Sequence, residues 1–238
     1  MPIPYRPEAV VFDMDGLLFD TEALHEEAIL AAVRQTGLNV NPVLFRHLLG
    51  RPWAENRTAL LEHYGTDFPV DELRTVWLRH FDGMVQTRLT LKPGAIELLD
   101  WLDFLALPQA IATSSSHRDV QHHLAAHHLS DRFDVIVACG DYEAAKPAPD
   151  PFLKAAERLG VEPWRCLALE DSFNGVRAAA RAGMMTVMVP DLLAPTDEIR
   201  SLCACVVSDL HQVGPLIEAA PSAAGMQRSS HVCTATSQ

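Results

Sequence analysis

Short apolar runs, each followed by a stretch with helical spacing, recur along the chain and set its plan. Residues 9–12 form an unbroken apolar run, the mark of a strand buried on both faces of a parallel sheet. After Gly16 the chain turns helical. Asp20 or Thr21 can cap this helix, Glu22 suits its first turn, Gly37 can end it, and Leu24, Ala28 and Ala31 or Ala32 give it an apolar face. From there to Leu91 nothing reads as a parallel strand. A helix is expected over residues 53–64, closed by Gly65, and Val70, Leu73, Trp77, Phe81 and Met84 share one face of another. Pro93-Gly94 then opens a regular alternation. A helix carrying Ile96, Leu99 and Leu102 precedes a strand at 110–112. Ser116 and Asp119 make a capping box for a helix reaching about His128. A strand at 135–138 precedes a helix with Asp150 as N-cap, Pro151 in the first turn and Gly160 at its end. Strands at 167–169, 186–189 and 206–207 alternate with helices at 173–182, stopped by Gly183, and at 210–219.

Strands and helices of these lengths in alternation imply right-handed crossovers. The fold class is therefore α/β: a Rossmann-like parallel sheet with helices on both faces, plus a small α-helical domain inserted after the first strand. The expected division is an α/β core from residues 1–20 and 91–220, a helical insert from 21–90, and a Ser-, Ala- and Thr-rich tail at 221–238, read as disordered.

Charge changes the picture. The net charge of −12 disfavours non-specific nucleic-acid and anionic-membrane binding, and any anionic substrate then needs local positive charge at its site. The five cysteines are odd in number and show no disulfide spacing, so a reducing cytoplasm is expected. Cys139 and Cys166 read as buried thiols, and Cys203-x-Cys205 is too close for a common zinc pair. No signal peptide and no membrane-spanning run are visible.

Four strand ends carry unusual residues. The first runs into Asp13-Met14-Asp15-Gly16, the second into Thr113-Ser114-Ser115-Ser116, the third is followed by Lys146-Pro147-Ala148-Pro149, and the fourth ends in Glu170-Asp171. Ligand sites in open α/β sheets form at such ends. Each fragment also has a plain reading: caps for the serines, a solvated turn for the lysine, and first-turn acids for Glu170-Asp171. Together, carboxylates, hydroxyls, a lysine and an acidic pair suit a cation-assisted anion site. The oxygen ligands, with no His or Cys cluster, favour Mg2+ over zinc. His123 and His127 lie one turn apart, but a polar helix face explains them better than a metal site.

Those four motifs resemble the haloacid dehalogenase superfamily of phosphohydrolases, in its β-phosphoglucomutase-like branch, which carries a small helical cap after the first motif. The resemblance implies a Mg2+-dependent phosphatase acting on a small phosphorylated metabolite, a sugar phosphate in first place. Asp13 would be the nucleophile and Asp15 the acid–base. The metal would be held by Asp13, the Asp15 carbonyl, Asp171 and Glu170, the last directly or through water. Ser114, favoured over Thr113 with a slip of one left open, and Lys146 would hold phosphoryl oxygens, with the amides of Met14, Asp15 and Ser115 as further donors. His25, Arg51 and His117 would meet substrate from the cap and the second motif. By alignment Trp53 takes the place of the mutases' phosphate-gripping arginine, with Arg51 and Arg57 nearby, which favours a phosphatase. A sugar phosphomutase is the alternative, a dehalogenase comes behind it, and a non-catalytic phosphate-binding module is last. A monomer or small homo-oligomer is expected, with neither nucleic acid nor membrane as partner.

Overall fold

The computed structural model of the chain describes residues 3–41, 44 and 53–222. Gly50, Arg51, Cys233 and the tail beyond Ser222 lie outside the described residues. Six parallel strands, β1 (Ala9–Phe12), β2 (Gln109–Ser116), β3 (Val135–Cys139), β4 (Cys166–Glu170), β5 (Met185–Met188) and β6 (Cys205–Val206), form one sheet in the order β3-β2-β1-β4-β5-β6. β1 lies between β2 and β4, with Val11 opposite both Ala110 and Ala168. The order reverses at β1, so its carboxyl end is the topological switch point, where open α/β sheets bind ligands.

Every residue of β1 is buried, and alternate residues point to opposite faces. Val10 and Phe12 pack with Leu98, Leu99 and Leu102 of α4 (Ala95–Phe104) and Val120 and Leu124 of α5 (His117–Ala126). Ala9 and Val11 face Phe152, Ala155 and Ala156 of α6 (Asp150–Leu159) and Ala178 and Ala179 of α7 (Phe173–Arg181). The alanines on this second face let α6 and α7 lie close to the sheet.

Between β1 and β2 come α1 (Thr21–Thr36), α2 (Trp53–Tyr64) and α3 (Val70–Arg88), which share a core of their own around Ala28, Ile29, Leu60, Leu73 and Trp77. Leu24, Val85 and Leu89, at the root of this insert, join the sheet core instead. The two connecting segments are tied together by Asp20 N–H to the Thr90 carbonyl and Lys92 N–H to the Leu18 carbonyl, both at 2.9 Å.

Local chemistry shifts several expected boundaries. Neither Asp20 nor Thr21 caps α1: Asp20 lies 3.6 Å from Lys92, and the buried Thr21 hydroxyl has no partner. α5 begins as expected, with the Ser116 hydroxyl accepting from Asp119 N–H, but ends at Ala126. Asp150 is the first residue of α6 rather than its cap; its carboxylate accepts from Ala144 N–H at 3.0 Å. The segment from Leu210 starts as a 3-10 turn (Leu210–Gln212) before α9 (Val213–Ala219), which follows the short α8 (Asp197–Leu202). Cys166 is buried, but Cys139, at the exposed end of β3, is not.

Candidate active site

Asp13 continues the β1 ladder, its N–H donating to the Leu169 carbonyl at 3.0 Å, so its carboxylate stands at the switch point. Gly16, at φ 82°, turns the chain back with its N–H on the Phe19 carbonyl. On β4 the chain ends in Glu170, wholly buried, followed by Asp171. Lys146 enters from the β3–α6 loop, where Arg181 holds the Pro147 carbonyl at 2.7 Å. It is not a solvated turn residue. Its ammonium is buried, donates to Asp13 Oδ1 at 2.5 Å and to Glu170 Oε1 at 2.6 Å, and lies over the Phe152 ring.

Glu170 is fixed from its other side. Its Oε2 accepts from the Asp171 and Ser172 amides, both at 3.1 Å, and from the Ser172 hydroxyl at 3.0 Å. These amides, just before α7, therefore serve Glu170. Gly175 makes the arrangement possible, because a Cβ there would lie 1.7 Å from Glu170 Oε1. Gly175→Ala should drive Glu170 off Lys146, lower stability by about 1–3 kcal/mol through overpacking and cut turnover. Thermal unfolding and phosphate release read both effects, and an unperturbed variant would show that Glu170 can shift freely.

One ammonium faces several acids. Burial, reinforced by Glu170 and Asp15, outweighs Lys146 and pushes the Asp13 carboxyl up to about 8. Burial and the neighbouring Glu170, Asp13 and Glu22 hold Asp171 well above the carboxylate range. Burial pulls Lys146 down, but Asp13 and Glu170 outweigh it and hold it above the usual lysine range. Carboxylate oxygens of Asp13, Glu170 and Asp171 come within 4.8 Å of one another, and Asp171 Oδ1 is buried without a hydrogen-bond partner. An all-oxygen donor set with surplus negative charge and an orphaned buried oxygen fits a hard divalent cation.

The Asp15 carboxylate is not one of these three and bonds to β2 instead. Its Oδ2 accepts from the Ser115 hydroxyl at 2.6 Å and from Thr113 Oγ1 at 3.4 Å. β2 runs past the expected end at 112 to Ser116, which brings these hydroxyls to the site. Thr113 is buried, and its hydroxyl also receives the Ser115 N–H at 3.1 Å. Ser114, the expected phosphate ligand, is exposed on the cleft wall. The Ser115 amide, expected to face phosphate, is thus engaged by Thr113. Met14 is wholly buried beneath the turn.

A cleft of about 1040 Å³ brings Asp13, Asp15, Ser114, Ser115, Lys146 and Asp171 together with His25, Phe81 and Arg74 of the inserted helices. His25 stacks on Phe81 at 3.6 Å, and burial lowers its pKa to about 4, so it is neutral near pH 7. His117 does not line the cleft: the first turn of α5 aims it at Asp141, 2.9 Å away. His123 is buried rather than on a polar face, 3.9 Å from Asp15 Oδ1, and His127 bonds the Leu89 carbonyl. Among the described residues these histidines form no metal group. Arg57 is paired with Asp71 at 3.1 Å. Sequence reasoning missed Arg74 and the inward turn of Glu22; no pattern separates such residues from ordinary helix-surface charges.

The plasmid CbbY protein of Cupriavidus necator is 35% identical over 207 residues, covering 80% of this chain and 81% of the relative. The phosphorylated carbohydrates phosphatase of Thermotoga maritima is 32% identical over 177 residues, covering 74% and 82%. The crystal structure of a putative β-phosphoglucomutase from Thermotoga maritima superposes with a TM-score of 0.73 at 28% identity, over 88% of this chain and 98% of that one. A family model for haloacid dehalogenase-like hydrolases matches residues 7–183, the span that holds all four strand-end motifs, and the chain belongs to that family.

Proposed function

We propose that the protein is a Mg2+-dependent phosphatase that hydrolyses a small phosphomonoester, a sugar phosphate in first place, through an aspartyl-phosphate on Asp13. The observation that carries this reading is Lys146 bridging Asp13 and Glu170 beside Asp171 at the floor of a cleft. The similarity to a phosphatase of phosphorylated carbohydrates supports the substrate class.

A carboxylate attacking a phosphate dianion meets like charge, at about 4 kcal/mol per pair at ~4 Å and an effective dielectric near 20. Charge neutralisation and positioning are therefore the main tasks. Asp13, Glu170 and Asp171, with the Asp15 carbonyl, would hold the cation, which supplies positive charge to the attacking carboxylate and to the phosphoryl oxygens. Lys146 lowers the cost of ionising Asp13 and the cation would lower it further, since a protonated Asp13 is no nucleophile; the ammonium also presents positive charge to the transferred group. An Asp13 oxygen forms the new P–O bond as the ester P–O bond breaks, and Asp15 gives its proton to the leaving alkoxide. Asp15, now a carboxylate, takes a proton from the water that attacks phosphorus, releasing phosphate and restoring Asp13. Asp15 would have to leave Ser115 to do this. The exposed Ser114, with the buried Thr113 hydroxyl beside it, would complete the phosphate-side wall.

Residues 21–90 would act as the cap over a core of 1–20 and 91–220, and His25, Phe81 and Arg74 would select the substrate's non-reacting part. The second reading, a sugar phosphomutase, is favoured by Arg74, which lies over the Trp53 ring at 4.6 Å, lines the cleft and can grip a second phosphate. A panel of phosphate esters separates the two: free phosphate supports hydrolysis, and an isomerised ester supports the mutase. Excess chelator should stop the reaction and added MgCl2 restore it. Unchanged rates in chelator would refute the metal role.

A further inference from the structure

Glu22 is a buried acid that none of the four strand-end motifs includes. It is 9% exposed, its Oε2 has no hydrogen-bond partner, and it lines the same cleft as Asp13 and Asp171. A first-turn acid that only complements a helix dipole keeps its water, whereas this one has given up hydration at Oε2 without a hydrogen bond in return. Asp171 Oδ1 is a second buried oxygen in the same condition. Gly16 lies between the two residues: a Cβ there would be 2.3 Å from Asp171 Oδ2 and 3.2 Å from Glu22 Cγ. The bare glycine thus lets two carboxyl-bearing side chains crowd one spot.

Two buried acids with orphaned oxygens call for a donor or a cation between them. The nearby ammonium groups are engaged elsewhere. Lys146 holds Asp13 and Glu170, and Lys92 holds Asp191 at 2.8 Å with Asp20 at 3.6 Å. Glu22 is not one of the three residues whose carboxylate oxygens converge within 4.8 Å. It would therefore reach a cation held by those three through water rather than directly. We propose that Glu22 is an outer ligand of the divalent cation, accepting a hydrogen bond from a cation-bound water and joining the first turn of α1 to the metal site. The inference rests on the metal-dependent reading given above.

Thermal unfolding of the full chain, titrated with MgCl2 in phosphate-free buffer, tests it without any substrate. Wild-type protein should be stabilised by Mg2+. Glu22→Gln keeps the shape and removes the charge. It should weaken the apparent Mg2+ affinity by about 10–100-fold, the usual cost of losing an outer-shell partner, while leaving the metal-free melting temperature unchanged or raised. A merely structural glutamate would show the reverse: lower stability in both states and an unchanged Mg2+ midpoint. A Glu22→Gln midpoint within twofold of wild type overturns the inference and leaves the metal reading intact. Absence of any Mg2+ response in wild type overturns both. Glu22→Asp, one methylene shorter, serves if the glutamine variant does not fold; a severalfold weaker midpoint supports the role, and a wild-type midpoint refutes it.

Discussion

Asp13→Asn should lose turnover by on the order of 10⁵-fold, the scale of removing a covalent nucleophile, while the protein stays folded and melts no lower than wild type in the absence of metal. The two halves of this result come from the same geometry. The amide cannot displace the ester oxygen, so no phosphoryl adduct forms on residue 13. The substitution also removes one ionisable acid from a buried group that has more acids than cations. Burial and the Glu170 and Asp15 charges already push the Asp13 carboxyl up to about 8, so its ionised form costs the metal-free fold free energy. Lys146 keeps Glu170 as its partner at 2.6 Å when the Asp13 charge is gone. Phosphate release, intact-protein mass after incubation with substrate, and a melting curve in chelator read the three quantities. Appreciable residual turnover would remove Asp13 as the nucleophile. A large drop in melting temperature would mean that the Asp13–Lys146 pair stabilises the metal-free fold.

The sheet was legible because parallel strands buried on both faces leave unbroken apolar runs, and four of the six runs here lead into residues with chemistry. The helix at Trp53–Tyr64 was legible to the residue, since Gly65 adopts φ 98° and ends it. The convergence of Asp13, Lys146, Glu170 and Asp171 followed from their places at strand ends, and their side chains do meet. What was not legible depended on partners distant in sequence. Asp20 reads as a cap, yet Lys92 draws it away; His117 reads as a substrate contact, yet Asp141 holds it. The hydroxyl run at 113–116 reads as the loop after a strand, because serines favour caps. Pairing of Ser116 with Cys139 on β3 carries the strand through it, and the Ser115 and Thr113 hydroxyls come to rest on Asp15. Glu22 fits the dipole rule for a helix start so well that nothing local marks it as buried. Only the Gly16 turn, which folds the chain back against Asp171, reveals it.

Lys146→Met should act on stability with the opposite sign to Asp13→Asn, although both lie in one contact. Methionine keeps the stem over Phe152 but leaves Asp13 and Glu170 facing each other with no positive charge between them. Removing one partner of a buried ion pair costs about 3–5 kcal/mol, which for a chain of this size lowers the metal-free melting temperature by about 10 °C. Turnover should fall by about 10²–10³-fold, the scale of losing one charge-stabilising group. A cation held by the same carboxylates restores part of what the lysine supplied, so MgCl2 should raise the melting temperature of Lys146→Met by more than it raises that of wild type. The double variant Asp13→Asn/Lys146→Met should be less destabilised than Lys146→Met alone, because the asparagine removes one of the two stranded charges. Additive losses in that cycle, or wild-type turnover in Lys146→Met, would show that the lysine is held beside the carboxylates without neutralising them. The case for a cation-assisted phosphoryl transfer at Asp13 would then lose its electrostatic basis.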